Sequence, residues 1–330
     1  MKVAVIGVGS MGINHLRVYT ELDNIEVVGA SDVSPERLEM ISSRFSVKTY
    51  SDYQELIEKE KPDAVSITVP TSDHEKVAAF CLEHGVHLLV EKPIAATVEE
   101  GKRLIALAEK VNRQLMVGHI IRFNPAIQSL KQRLENGDLG KIFQVFCRRA
   151  GPFPARIRDV GVVIDLAPHD VDIMRFLTGM DPMRVYAETE QRIHTDHEDL
   201  LFGLLRFPDG ITGALEINWL TPTKMRETLV LGEKGLFRVD DLMQDLYYFE
   251  NPQAIGELWS PFRAIRGVSE GSMTRYSIPR QEPLKAELQA FIQAIKNGEK
   301  VPVTGQDGLE ALRLSLALVE SGKTHQVIEV

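Results

Sequence analysis

The chain has 330 residues, more than one hydrophobic core usually serves, so its length predicts two domains. With 44% hydrophobic and 26% charged residues, the composition is that of an ordinary globular protein. It excludes a disordered chain, a collagen and a disulfide scaffold. The formal net charge of -9 argues against general affinity for nucleic acid or for an anionic membrane.

The two cysteines and the N-terminus indicate a cytoplasmic protein. Cys81 and Cys147 are 66 residues apart and match no metal or redox spacing, so we interpret them as buried thiols of a reducing compartment. The apolar run Val3–Ile6 is too short for a signal peptide. No apolar stretch reaches the roughly 18 residues of a membrane helix.

The first 120 residues alternate short apolar runs with helical patterns, which indicates crossover units and a parallel sheet. In chain order the predicted elements are strand Lys2–Ile6, helix Met11–Glu21, strand Glu26–Ser31, helix Pro35–Phe45, helix Asp52–Glu60, strand Ala64–Thr68, helix Ser72–His84, strand His87–Val90, helix Glu99–Val111 and strand Gln114–Val117.

The pattern changes after about residue 120, and strands dominate between Phe143 and Phe249. The predicted elements are helices Pro125–Asn136 and Leu166–Leu177, a hairpin of Leu200–Phe207 with Thr212–Asn218, paired strands Thr228–Leu231 and Leu236–Val239, a long surface loop over 251–283, and helices Leu284–Lys296 and Leu309–Val319. This part is expected to be a mostly antiparallel sheet with helices on one face.

A glycine-rich turn joins the first strand to the first helix. Gly7 permits the tight turn, Gly9 lets a pyrophosphate approach the backbone, and Gly12 lets helix and strand pack closely. The intervening Ser10 and Met11 would place their backbone N–H groups at the helix N-terminus, which attracts an anion. The pattern predicts a dinucleotide site, against the alternative of a glycine-rich turn without a ligand.

Two charged residues after the second strand bear on the choice of dinucleotide. Asp32 lies 20 residues after Gly12, where its carboxylate can accept hydrogen bonds from the adenosine ribose. Its charge would repel a 2′-phosphate, which favours NAD. Because Arg37 follows five residues later and can reach a 2′-phosphate, NADP is not excluded.

Together these signals predict an α/β protein of two domains. Residues 1–120 are expected to form a Rossmann domain, a doubly wound parallel sheet that binds the dinucleotide. Residues 121–330 are expected to form an α+β domain with an open, mostly antiparallel sheet.

Loops at the carboxyl ends of parallel strands line the ligand crevice of such a sheet. Pro70 and Thr71 follow the strand Ala64–Thr68, and His74 lies just beyond them, so all three are candidates for cofactor contact. Glu91 and Lys92 end another strand and are further candidates, and Lys92 is also placed to bind a substrate hydroxyl. For His74 the alternative is an exposed helix residue, and for Lys92 a solvated strand end.

A histidine between carboxylates marks the second half of the chain. Asp165 is predicted to cap a helix, and positions 165, 169 and 172 then share one face. Carboxylates on either side hold a histidine in one tautomer, which suits His169 as a general base. Metal ligation is disfavoured because only one histidine is present and no second ligand cluster lies nearby in sequence. A plain exposed helix without a site is the other alternative.

The glycine-rich opening, Glu91-Lys92-Pro93 and the helix carrying Asp165 and His169 together resemble the Gfo/Idh/MocA oxidoreductase family. The resemblance implies a two-domain NAD-dependent dehydrogenase acting on sugars or cyclitols, with no metal. It implies that Lys92 orients the reacting hydroxyl, that His169 is the acid–base, and that Asp165 contacts a neighbouring hydroxyl. It also implies that residues 121–330 bind the substrate and form homodimers or homotetramers through their open sheet.

Arginines and a short motif bear on the substrate. His119, Arg122 and Asn124 lie where the chain leaves the first domain, and Arg148, Arg149, Arg156 and Arg158 follow within a stretch of eleven residues. Arginine suits diphosphate oxygens, against the alternative of a solvated loop or an intersubunit ion-pair site.

The segment with His119, Arg122 and Asn124, together with the arginine-rich stretch, is similar to family members that oxidise UDP-N-acetylglucosamine at C3. A PLP-dependent aminotransferase consumes the product of those enzymes. An inositol or free-sugar dehydrogenase is the alternative within the family. A catalytically inactive NAD-binding sensor is the alternative outside it.

Overall fold

The computed structural model describes residues 1–154, 160–194, 196–252 and 271–330. The chain forms two compact units, one of Met1–Phe123 with Gln281–Arg313 and one of Asn124–Arg280 with Leu314–Val330. The segment Gln281–Arg313 thus groups with the first unit, whereas the sequence analysis assigns it to the second domain. The functional division into residues 1–120 and 121–330 stays a prediction.

The bounds of the regular elements, in chain order, are as follows. The strands are β1 (Lys2–Ile6), β2 (Glu26–Ser31), β3 (Thr49–Tyr50), β4 (Ala64–Ile67), β5 (His87–Glu91), β6 (Leu115–Gly118), β7 (Ile142–Pro152), β8 (Arg184–Glu190), β9 (Leu200–Arg206), β10 (Thr212–Asn218), β11 (Leu220–Gly232), β12 (Gly235–Asp240), β13 (Asp245–Glu250), β14 (Met273–Tyr276) and β15 (Ile328–Glu329). The α-helices are α1 (Ser10–Glu21), α2 (Pro35–Phe45), α3 (Tyr53–Glu60), α4 (His74–Glu83), α5 (Val98–Lys110), α6 (Pro125–Glu135), α7 (Val162–Thr178), α8 (Pro283–Asn297) and α9 (Gly305–Thr324).

The first unit is built on a parallel sheet with the strand order β3-β2-β1-β4-β5-β6. Its central strands are buried on both faces: every residue from Val3 to Ile6 is at most 2% exposed. That burial explains why these strands are continuous apolar runs. Order and direction confirm the predicted doubly wound sheet.

The second unit holds a sheet with the described order β14-β13-β12-β11-β7-β10-β9-β8-β15. Neighbouring strands are antiparallel except β7 and β10, which run parallel. Helix α7 packs on β7, β9 and β10, and α6 packs on β12 and β13. The mostly antiparallel sheet with helices on one face is therefore confirmed.

Helix α7 begins four residues earlier than predicted, and Asp165 is not its N-cap. The backbone N–H of Val162 donates to the Glu198 carbonyl at 2.9 Å, and the N–H of Val163 donates to Glu198 Oε1 at 3.3 Å. These N–H groups are satisfied from a segment 36 residues away, so the helix starts without a local cap. Pro168 consequently lies in the helix interior rather than in the first turn.

The predicted surface loop over 251–283 is only partly a loop. Strand β14 pairs with β13 inside it, with Tyr247 opposite Arg275. Its first three residues are exposed, so the sequence carries no alternation that would have indicated a strand. The part of the prediction that covers residues 253–270 falls outside the described residues.

Candidate active site

Three glycines shape the turn between β1 and α1. Gly7 has φ +86, and a Cβ added there would lie 2.8 Å from the Thr68 backbone. A Cβ at Gly12 would collide with the Gly7 carbonyl oxygen, whereas a Cβ at Gly9 would meet nothing closer than Arg37 Nη1 at 3.8 Å. Gly7 and Gly12 are thus required for packing, and Gly9 leaves open space beside the backbone.

The N-terminus of α1 suits an anion. Gly9 is its N-cap and supplies no side chain, so backbone N–H groups of the first turn have no side-chain cap. Ser10 and Met11 are exposed there. An uncapped twelve-residue helix, together with the open space at Gly9, fits the pyrophosphate of a dinucleotide.

Asp32 organises the loop after β2. Its Oδ2 accepts from the Val8 N–H at 2.8 Å and its Oδ1 from the Ser34 N–H at 2.9 Å. Arg37 Nη1 lies 3.4 Å from Oδ2. Asp32 is therefore a structural acceptor that also places a carboxylate beside the turn from Gly7 to Gly12. Arg37 is within reach of this carboxylate.

The residues after β4 and β5 are connected through His74. Its Nδ1 lies 2.9 Å from the Pro93 carbonyl oxygen and its Nε2 3.0 Å from the Val69 carbonyl oxygen. Burial lowers its pKa, and the two carbonyl groups oppose that effect. His74 is 1% exposed, so the alternative of an exposed helix residue is wrong. Pro70 is exposed and Thr71 half-buried in the same turn, and the cofactor roles of all three stay predictions.

Glu91 is a buried carboxylate immediately before Lys92. Burial acts to raise its pKa, but the hydrogen bond from His15 and the charge of Lys92 outweigh that effect and lower it. Its Oε2 accepts from the Lys92 N–H at 3.2 Å. Lys92 is half-buried, and its bond to Pro93 is cis. The end of β5 thus carries a fixed negative charge beside a lysine.

The candidate substrate residues after β6 are mostly buried. His119 is 1% exposed, and Arg122 pairs with Asp307 at 3.0 Å. Asn124 caps α6 through Oδ1, which accepts from the Ala126 N–H, and its Nδ2 donates to the Asp241 carbonyl at 2.9 Å. Their substrate roles stay predictions, and these contacts show that Arg122 and Asn124 also hold the fold.

In the second unit, Asp165 and His169 lie one helical turn apart on α7, and both are half-buried. Asp172 continues the same face one turn further and is buried, at 1% exposure. The arrangement agrees with the predicted common face, with a half-buried carboxylate and imidazole on the helix. Their catalytic roles stay predictions.

A buried ionic cluster anchors α7 directly behind His169. Arg149 on β7 donates from Nη2 to Asp170 Oδ1 at 2.7 Å and from Nε at 2.9 Å. Asp241 Oδ2 lies 3.4 Å from the same Nη2, and burial raises the pKa of Asp241 to about 7, with the charge of Arg149 opposing the shift. A positively charged residue on a strand therefore fixes the residue that follows the candidate base.

Two of the four arginines that suit a diphosphate form ion pairs within the second unit. Arg149 is committed to Asp170, and Arg148 pairs with Glu216 at 2.8 Å. Strand alternation was the available signal, because Arg149 follows Val145 and Cys147 on the buried face of β7. Arg156 and Arg158 lie outside the described residues. Both cysteines are buried, as predicted.

The described residues contain neither a cluster of metal ligands nor a membrane-spanning helix. No group of three or more histidine, cysteine, aspartate or glutamate side chains there is placed to hold a metal ion. Among the same residues, no helix is long and apolar enough to cross a membrane.

Both units match models of one family. Residues 1–119 match the oxidoreductase family with an NAD-binding Rossmann fold, and residues 127–238 match the GFO/IDH/MocA C-terminal domain. The chain therefore belongs to the GFO/IDH/MocA oxidoreductase family. It is an NAD-binding dehydrogenase that acts on CH–OH groups.

Individual relatives extend along almost the whole chain. UDP-N-acetylglucosamine 3-dehydrogenase of Acidithiobacillus ferrooxidans is 29% identical over 316 residues, covering 96% of this chain and 95% of its own. A solved structure of that enzyme superposes with a TM-score of 0.87 at 27% identity, over 98% of both chains. Myo-inositol 2-dehydrogenase of Thermotoga maritima is 28% identical over 97% of this chain and 96% of its own.

Proposed function

We propose that the chain oxidises UDP-N-acetylglucosamine to its 3-keto form with NAD as the hydride acceptor. The observation that carries the substrate is the relative of that name, which is 29% identical along 96% of the chain. The product, a 3-keto nucleotide sugar, would be the substrate of a PLP-dependent aminotransferase acting downstream. The proposal is tested by incubating the protein with NAD, the nucleotide sugar and such an aminotransferase. Mass spectrometry should then detect the 3-keto sugar or its aminated derivative.

The chemistry is assigned to three side chains. Lys92 binds the reacting hydroxyl and stabilises the negative charge that develops on its oxygen. His169 takes the hydroxyl proton as general base, while Asp165 one turn away accepts a hydrogen bond from a neighbouring hydroxyl. When bound, NAD accepts the hydride from the carbinol carbon. The half-buried positions of Lys92 and His169 support roles that need both a fixed geometry and contact with a ligand.

The runner-up substrate is a free sugar or inositol. It is favoured by the 28% identity to a myo-inositol 2-dehydrogenase over 97% of the chain. The two proposals separate on charge, because only the nucleotide sugar carries a diphosphate. Arg156→Ala and Arg158→Ala should raise KM for UDP-N-acetylglucosamine far more than KM for myo-inositol. Equal effects on both substrates would reject the assignment of these arginines to a diphosphate.

Membership of a dehydrogenase family speaks against the non-catalytic NAD sensor, and Lys92→Ala tests the catalytic role proposed for the lysine. The enzyme proposal expects the variant to bind NAD as the wild type does and to lose turnover. A sensor would turn over no sugar in either form, so product formation by the wild type alone supports catalysis. The fluorescence of bound NADH reports the binding, and product mass reports the turnover.

We also propose that two copies pair through the open face of the second sheet. Leu204 is 52% exposed and lies opposite Tyr186 and Ala214, and Ala214 lies opposite Phe146 in turn. Phe202, also 52% exposed, lies between Glu188 and Glu216. An apolar row of this kind on a sheet face indicates a protein contact. Light scattering should show a dimer or tetramer, and Phe202→Glu with Leu204→Glu should give a folded monomer. A folded wild-type monomer would reject the proposal.

A further inference from the structure

A buried hydrogen-bond chain runs through the first unit to the residue before Lys92. His15 on α1 is 0% exposed, and its Nε2 lies 3.0 Å from Glu91 Oε1. Its Nδ1 lies 3.1 Å from Ser66 Oγ, which in turn is 2.8 Å from the Tyr19 hydroxyl. The helix that opens the cofactor site is thereby linked across β4 to the end of β5.

One consistent assignment of protons directs every donor towards Glu91. Burial raises the pKa of Tyr19, so its hydroxyl stays protonated and can donate to Ser66. The Ser66 hydroxyl can then donate to His15 Nδ1, which leaves Nε2–H as the donor on the other edge of the ring. His15 Nε2–H donates to the Glu91 carboxylate, and each group in the chain donates once.

The Glu91 carboxylate has a site built for it. A Cβ added to Gly118 on β6 would lie 3.1 Å from the carboxylate carbon, so glycine there leaves the space that the carboxylate occupies. One oxygen of the carboxylate contacts His15, and the other accepts from the Lys92 N–H. Two hydrogen bonds, one from α1 and one from the Lys92 backbone, thus hold the carboxylate in the space beside Gly118.

We propose that His15 is a positioning residue, which holds Glu91 and thereby fixes the backbone of Lys92. The inference rests on the proposed catalytic role of Lys92. His15 is fully buried and acts through Glu91, so it determines the backbone position from which the Lys92 side chain extends. Misplacing a reacting group by about 1 Å can cost a factor of the order of 100 in rate, so turnover is the sensitive quantity.

Two matched variants separate the two ring nitrogens. In His15→Asn the side-chain amide replaces the Nδ1 edge, so contact with Ser66 is kept and the donor to Glu91 is lost. In His15→Gln the amide reaches the position of Nε2 and can still donate to Glu91. Both variants are neutral and polar in the same buried place. Ser66→Ala is a third variant. It removes the hydroxyl that links Tyr19 to His15 and keeps the His15 donor to Glu91.

Hydrogen–deuterium exchange at the Lys92 amide is the first readout, because it needs neither substrate nor turnover. His15→Asn should speed exchange at this amide relative to the rest of β5, since its acceptor Glu91 is released. His15→Gln should restore slow exchange. Unchanged exchange in His15→Asn would overturn the inference, whichever substrate the enzyme uses, and faster exchange throughout the unit would assign His15 to general stability instead.

Kinetics give the second readout. His15→Asn should lower kcat about 10- to 100-fold while the Kd for NAD changes less than about twofold, and His15→Gln should recover most of the loss. A weakened Kd with kcat unchanged would place His15 in cofactor binding and reject the inference. Lys92→Ala separates this failure from failure of the proposed function: if it turns over normally, the role of Lys92 is wrong, whatever His15 does.

Discussion

Arg149 on β7 forms a buried bidentate ion pair with Asp170 on α7, the residue that follows His169 in the chain. Their side chains are 5% and 2% exposed. Planar guanidinium and carboxylate groups in this arrangement fix direction as well as distance. The pair therefore sets the rotation of α7 that presents Asp165 and His169 on its half-buried face.

Removing one partner of this pair should be costly. Arg149→Leu leaves the Asp170 carboxylate buried without its partner, and we expect a loss of about 3–5 kcal/mol in the free energy of unfolding of the second unit. Urea denaturation measures this loss. The exposed pair Arg192 and Glu190 is the control: Arg192→Leu should cost about 0–1 kcal/mol. Similar losses at both positions would contradict the account.

Asp241 should make stability depend on pH. Burial raises its folded-state pKa to about 7, above the roughly 3.9 of an unfolded aspartate. The folded state therefore holds the proton of Asp241 more tightly than the unfolded state does. The contribution of protonated Asp241 to the free energy of unfolding is fully present below about pH 4 and is lost as pH rises through 7. Relative to Asp241→Asn, the wild type should lose up to about 1.4 kcal/mol per pH unit across this interval. Parallel stability curves for the two proteins would refute the shift.

Two glycine substitutions should separate folding from cofactor binding. Gly12→Ala places a methyl group against the Gly7 carbonyl, so we expect a destabilised first unit. Gly9→Ala meets only Arg37, 3.8 Å away, so the melting temperature should be preserved while the Kd for NAD rises more than about tenfold. Calorimetry and NADH fluorescence measure the two effects. Tight NAD binding by Gly9→Ala would contradict the role assigned to Gly9 beside the pyrophosphate.

Replacement of Asp32 should change the choice of dinucleotide. Asp32→Ser removes the charge that opposes a 2′-phosphate and releases Arg37 Nη1, now 3.4 Å from the carboxylate. The ratio of kcat/KM for NADP to that for NAD should rise more than about tenfold, because a repulsion is replaced by an attraction. Adding Arg37→Ala should reverse most of the gain. A ratio that stays constant would show that Asp32 does not set the preference.

The sequence predicted the parallel sheet and helices of residues 1–120 well because their signals are local, whereas it assigned Gln281–Arg313 to the other domain. The strands and the turn from Gly7 to Gly12 depend on residues close together in the chain. The start of α7 was missed because the Glu198 carbonyl accepts from the Val162 N–H, 36 residues away in the chain. The pairing of Arg149 with Asp170 and the contact of His15 with Glu91 join distant elements and leave no spacing pattern. Their only trace is a charged or polar residue on a buried face.

The central claim, hydride transfer from C3 of UDP-N-acetylglucosamine to NAD, is tested most directly with substrate deuterated at C3. The protein is incubated with this substrate and NAD, and an aminotransferase converts the ketone so that the reaction proceeds. The mass of the reduced cofactor is then measured by mass spectrometry. We predict NADH carrying one deuterium, formed by the wild type and not by Lys92→Ala. Reduced cofactor without deuterium, or deuterated cofactor only from labelled myo-inositol, would contradict the account.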